Sequence, residues 1–164
     1  MREILFRGKT DKGEWVQGSL IKRKIGCFIV DENNQCALRK ATENLFDFES
    51  KLVISETIGQ YTGLTDKNGT KIFEGDILRY GYIYDYECYL ESLERHEEYD
   101  NEIYDQDIEV SMVEWCSDCD YPAFDLADHD FECNGLSQIM CGDYEYEVIG
   151  NIHDNPELVK EREG

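Results

Sequence analysis

The chain is poor in the residues that most often announce chemistry. Its 164 residues hold three histidines and two prolines. No apolar run approaches the roughly 20 residues needed to span a bilayer, and no low-complexity tract or internal repeat occurs. The start, Met1-Arg2-Glu3-Ile4-Leu5-Phe6, lacks the apolar stretch of a secretory signal. Phosphate-cradling glycine loops, nucleophile elbows and paired-carboxylate motifs are also missing, which leaves a catalytic reading without an anchor. Basic residues are scarce, 16 against 37 acidic ones, for a net charge of −21. The shortage is local. Residues 1–80 hold 13 bases and 12 acids, net +1; residues 81–150 hold Arg95 alone against 21 acids, net −20; residues 151–164 hold two bases and four acids, net −2. Such a block repels nucleic acid and membrane surfaces and favours cationic partners or metal ions.

What is present reads as short strands and turns. The length suits one domain, or one domain with an insertion. Ile4 and Phe6, then Trp15, Val16 and Leu20, flank a turn at Thr10-Asp11-Lys12-Gly13, a hairpin signal. Residues 20–24 and 27–30 form a second strand pair around Gly26, and Phe46, Phe48, Leu52 and Ile54 alternate with polar positions as in a strand. Residues 58–80, IGQYTGLTDKNGTKIFEGDILRY, run strand, turn, strand. Asn68-Gly69 supplies the positive φ of the turn, and Gly75 within Glu74-Gly75-Asp76 marks a bulge or corner. Tyr61, Ile72, Phe73 and Ile77 are the expected core.

Residues 81–107 differ in being acidic and tyrosine-rich. Tyr86, Tyr89, Leu90 and Leu93 recur at a spacing that permits an amphipathic helix, so the segment reads as an insertion on a β scaffold. Pairing of strand 71–80 with strand 108–115 brings its two ends side by side. Residues 116–141 read as loop-rich, Tyr144, Tyr146 and Val148 as a strand that Pro156 stops, and residues 157–164 as a charged tail with one helical turn.

Three segments together resemble the YopX family of phage and prophage proteins: residues 58–80, MREILFRG at the start, and EVIGNIHDNPEL at 147–158. The family carries no assigned biochemical activity. The resemblance implies a phage or prophage accessory protein of the host cytoplasm and allows homo-oligomers. The expected fold is mainly β, a small, partly barrel-like antiparallel sheet. It divides into an N-terminal hairpin region 1–58, a motif domain 59–156 interrupted by the insertion 81–107, and the tail 157–164.

Candidate site residues are few. Cys116-x-x-Cys119, with Cys133 and Cys141 or His129, contains one pair at zinc-ligand spacing, but seven residues separate the second pair. Seven cysteines, an odd number, without a signal sequence imply free, reduced thiols and no bound metal or other cofactor. Asp128, Asp130 and Glu132 would share one face of a strand, as a hard cation prefers, yet the stretch lacks the glycine and final glutamate of a calcium loop. Of the imidazoles His96, His129 and His153, the last stands where the family pattern usually has an aromatic, which points to packing. Glu74 and Asp76 fit turn hydrogen bonding better than catalysis. The sequence therefore supports an acidic module that binds a protein with a basic surface, with no direct contact to nucleic acid or membrane. Its alternatives are a DNA mimic that blocks a nucleic-acid-binding protein, and a metal-dependent factor using residues 116–141.

Overall fold

The computed structural model describes residues 3–31, 50–82, 108–117, 122–127, 129, 133–142 and 144–160. The turn at Thr10-Asp11-Lys12-Gly13 joins β1 (Phe6–Lys9) to β2 (Trp15–Arg23), with Gly13 at a φ of 83° and the Thr10 amide donating to the Glu14 carbonyl. A second turn at Lys24 and Ile25 leads into β3 (Gly26–Asp31), which pairs with β4 (Ser50–Val53). A 3-10 turn at Ser55–Thr57 precedes β5 (Gly59–Thr65), and β6 (Lys71–Phe73) follows the 65–70 turn. These strands make one sheet in the order β4-β3-β2-β1-β5-β6.

This sheet curls. The Ile54 amide donates to the Lys9 carbonyl at 2.8 Å, and the Lys9 amide to Thr57 Oγ1 at 2.8 Å, so the segment after β4 meets β1. Among the described residues no strand ladder completes the circuit, so the expected mainly β, antiparallel fold is present with its sheet curved but not closed into a barrel. Val16, Cys27, Ile29 and Val53 fill its concave side with Phe6, Leu20 and Ile58 packed against them, while Leu5, Tyr61 and Phe73 form a second cluster. The strand expected around Leu52 exists but faces the other way. Its register sets Val53 opposite Cys27 in the core, which leaves Leu52 at 53% and Ile54 at 42% exposure. Phe46 and Phe48 lie outside the described residues.

Gly75 is the corner the sequence suggested. At a φ of 82° it ends β6 and starts β7 (Asp76–Tyr82) in a different sheet, its amide donating to the Val113 carbonyl and its own carbonyl accepting from Ile152. With β8 (Glu109–Cys116), β9 (Ala123–Leu126) and β10 (Tyr144–Asn151), β7 makes a four-stranded antiparallel sheet in the order β10-β7-β8-β9. The predicted pairing across the insertion is present, Ile77 opposite Met112 and Tyr80 opposite Glu109. Residues 83–107, with the helix expected there, lie outside the described residues.

Consecutive strand residues point to opposite faces. Ile77 and Leu78 are both fully buried, so β7 is covered on both sides. Among the described residues of this part of the chain are two helices: α1 (Gly135–Cys141) against β9 and β10, and the single turn α2 (Glu157–Lys160) against β8. The first corrects the loop-rich reading of 116–141. Its capping is divided between Asn134, whose side chain accepts from the Ser137 amide, and the buried Asp125, which accepts from the Gly135 and Leu136 amides. Among the described residues no helix is long and apolar enough to cross a membrane.

By contact the chain forms two compact units, Met1–Leu64 with Lys71–Glu74, and Thr65–Thr70 with Gly75–Gly164. Each has its own sheet.

Two substitutions test the first unit. A Cβ on Gly59 would stand 2.3 Å from the Glu74 carbonyl oxygen, a backbone atom that cannot swing aside. Gly59→Ala should cost about 1–3 kcal/mol through overpacking. Phe73→Ala should cost about 3–5 kcal/mol, because Phe73 is 1% exposed and packs on Tyr61 at 5.5 Å between ring centroids. Chemical denaturation reads both, and a Gly59→Ala protein as stable as the parent would contradict the close approach.

Candidate interaction surface

The 65–70 turn is built around Asp66. Its Oδ1 accepts from the amides of Asn68 and Thr70 at 2.8 Å each, and Oδ2 accepts from the Val148 amide at 3.1 Å. The Lys67 amide donates to the Tyr146 carbonyl, and Lys67 Nζ lies 2.7 Å from Glu145 Oε2. Burial pushes the Asp66 carboxyl up, but the amides of Val148, Thr70 and Asn68 outweigh it and hold the group below the ordinary aspartate value. Burial also raises the Tyr146 phenol, with the Asp66 carboxylate adding to the effect. Asp66 and Lys67 thus serve the turn and β10.

Glu74 is likewise engaged with neighbouring strands. The Glu74 backbone exchanges contacts with Gln60 and Arg7, and its carboxylate accepts from the Gln60 amide at 3.4 Å. Asp76, the first residue of β7, is 1% exposed. In the 147–158 segment Asn151 forms an Asx turn, Oδ1 accepting from the His153 and Asp154 amides at 3.0 Å. A Cβ on Gly150 would stand 2.6 Å from Asn155 Oδ1, so the bulge between Val148 and Gly150 needs the missing side chain. His153 is exposed beside this turn.

The cysteine candidates do not converge. Cys133, just before α1, and Cys141, its last residue, are free, exposed thiols, and Cys133 Sγ contacts Gln138 Oε1 at 3.1 Å. Cys116 is disulfide-bonded, which corrects the expectation of seven free thiols and removes it from a zinc set. His129 stands against Asp125 at 3.5 Å. Among the described residues no group of three or more His, Cys, Asp or Glu side chains could hold a metal. Cys119, Asp128, Asp130, Glu132 and His96 lie outside them.

What remains is charge. The first unit holds 11 bases and 10 acids, net +1, and the second 5 bases and 27 acids, net −22. One face of the four-stranded sheet carries Glu145 and Glu147 on β10 and Glu114 on β8, with Arg79 between β10 and β8 paired to Glu147. Lys67 is paired to Glu145, whose hydrogen bond raises the lysine pKa. Asp154 and Glu157 add exposed acids beyond β10. The signal for this surface was the sign of the charge and its confinement to one stretch of sequence.

A carboxyl held below its unfolded value contributes stability that is present above the unfolded pKa and is lost as pH falls through the folded one. Asp66→Asn should therefore cost about 1.5–3 kcal/mol at neutral pH and flatten the loss of stability below about pH 4, read by denaturation at several pH values. For the cysteines, denatured and unreduced protein should alkylate at no more than five of its seven thiols, since one disulfide takes two, and at all seven after reduction. Seven before reduction would contradict the bond at Cys116.

No curated protein matches the chain. Among solved structures it is similar to the crystal structure of protein EF1440 from Enterococcus faecalis, 23% identical, with 98% of this chain and 100% of that chain covered at a TM-score of 0.51. That likeness concerns the fold. The family model for the YopX protein matches residues 5–160, nearly the whole chain, including the segments 58–80 and 147–158 and the second half of the opening one, and the chain belongs to the YopX family.

Proposed function

We propose that the protein is a phage or prophage accessory protein acting in the host cytoplasm as an acidic interaction module, with its second unit binding a host or phage protein through a basic surface on that partner. The observation that carries this reading is the confinement of charge, net −22 in one unit and +1 in the other. Membership of the YopX family fits a phage-type protein and supplies no competing chemistry. A field of this kind steers a cationic partner to fast encounter and loosens steeply as salt rises.

The same field acts on the protein itself. Self-repulsion among like charges destabilises the compact state, and ions screen it over about 10 Å at 0.1 M ionic strength. Added sodium chloride should raise the melting temperature. Capture from host lysate at low salt should return a basic protein that molar salt releases. Reversal of Glu94, Glu97, Glu98 and Asp100 to lysine moves the net charge from −21 to −13. That variant should slow association more than it speeds dissociation. A partner retained unchanged in molar salt, or direct binding of duplex DNA, would overturn the reading.

A further inference from the structure

The convex side of the first unit has the opposite character. The register aligns Ile21, Phe28 and Leu52 in a row across β2, β3 and β4. Their neighbours Cys27, Ile29 and Val53 point into the core, so this row points out. The Leu52 Cδ1 atom lies 2.8 Å from where a Cβ on Gly26 would stand, which lays the side chain across β3. Beside it Ile25, at the β2–β3 turn, is 82% exposed, and Leu52 and Ile54 are 53% and 42% exposed.

Lys22, Arg23 and Lys24 lead into the same turn, all exposed. None pairs with a carboxylate among the described residues, in a chain where acids outnumber bases 37 to 16. β4 is the outermost strand of the sheet on that side, and Ser50, Lys51 and Leu52 are exposed along it, Lys51 reaching Glu14 at 3.5 Å. An outermost strand offers a row of outward backbone groups to an added strand.

We propose that this face and edge form a second docking site, for an acidic polypeptide segment with interspersed apolar side chains. The segment lies at the β4 edge and on the outward row, its apolar residues against Leu52 and Phe28 and its carboxylates toward Arg23, which shares the face of Ile21, and Lys24 at the turn. The chemistry favours a protein segment over other anions. A duplex or a bilayer presents a long anionic surface that a chain of net charge −21 repels throughout, whereas a short segment meets only the cations within a Debye length. The row is aliphatic apart from Phe28 and offers no stacking platform for bases. Ile25 alone stands at the tip, too little apolar surface to hold a membrane.

A labelled peptide of alternating glutamate and isoleucine, followed by fluorescence anisotropy with the full-length protein, tests the site. The expected result is binding that weakens in molar salt. The double reversal R23E/K24E and, separately, Leu52→Asp should each reduce affinity by roughly tenfold or more. The side chains are exposed, so melting curves should stay near the parent's; Ile25→Ser is a milder variant expected to weaken binding with the fold intact. Equal binding of a lysine–isoleucine peptide, or unchanged affinity in the charge and Leu52 variants, would overturn the proposal. So would binding of phosphatidylserine vesicles or of single-stranded DNA in place of the glutamate peptide.

Discussion

The carboxylate of Asp66 is the constraint from which the second unit is assembled. β10 is the outermost strand of its sheet, and such strands expose backbone groups that must be paired or covered. The Tyr146 carbonyl and the Val148 amide point to the same outer edge. Lys67 takes the first through its amide, and Asp66 takes the second through its side chain. A buried carboxylate is costly unless hydrogen-bonded, and three amide donors offset that cost here. The turn must be tight enough to present all three, which is where Gly69 at a φ of 81° enters. Immediately after Val148 the strand bulges, Gly150 lets Asn155 close in, and the Asn151 turn leads into α2. One side chain therefore covers the edge up to the point where the strand changes register.

Local chemistry made much of this legible. Hairpins announced by Asp-Lys-Gly and Asn-Gly, the corner at Gly75 and the burial of Tyr61, Ile72, Phe73 and Ile77 all depend on residues near one another in the chain, and all are present. Long-range register was less readable. Either Leu52 or Val53 can face inward on a short strand, and only the pairing of Cys27 with Val53 decides it. α1 was hidden because one of its caps, Asp125, comes from a strand ten residues upstream, although Asn134 followed by Leu136 and Ile139 carried a local signal. Charge segregation was readable from composition. The edge where Leu52 shares a face with Arg23 was not, since it requires knowing which face of the sheet is concave.

The segments that identify the family turn out to be conformational instructions. Asp66, Gly69, Gly75, Gly150, Asn151 and Asn155 each set a turn, a corner or a close approach, and their polar atoms are engaged with backbone or turn partners. Such residues specify a fold with high information content and carry no reagent. This is why membership can be read over residues 5–160 while the reaction class cannot: the distinctive positions are occupied by geometry.

The placement of the few cations sharpens that view. In the second unit Lys67 and Arg79 each pair with a glutamate of β10, which reduces repulsion along an edge strand already crowded with carboxylates. Exposed pairs of this kind contribute little to stability, so their role is to relieve local repulsion rather than to hold the sheet. In the first unit Lys71 reaches Glu3, and Arg7 lies between the rings of Trp15 and Phe73 at 4.9 and 5.0 Å. Those contacts tie cations to the fold. Lys22, Arg23 and Lys24 stand apart, consecutive, exposed and beside the most exposed isoleucine of the chain's described core strands and turns. Three like charges on one turn repel each other and gain nothing from the sheet that carries them. An anionic partner removes that repulsion, and the aliphatic row next to them gives such a partner apolar surface to cover.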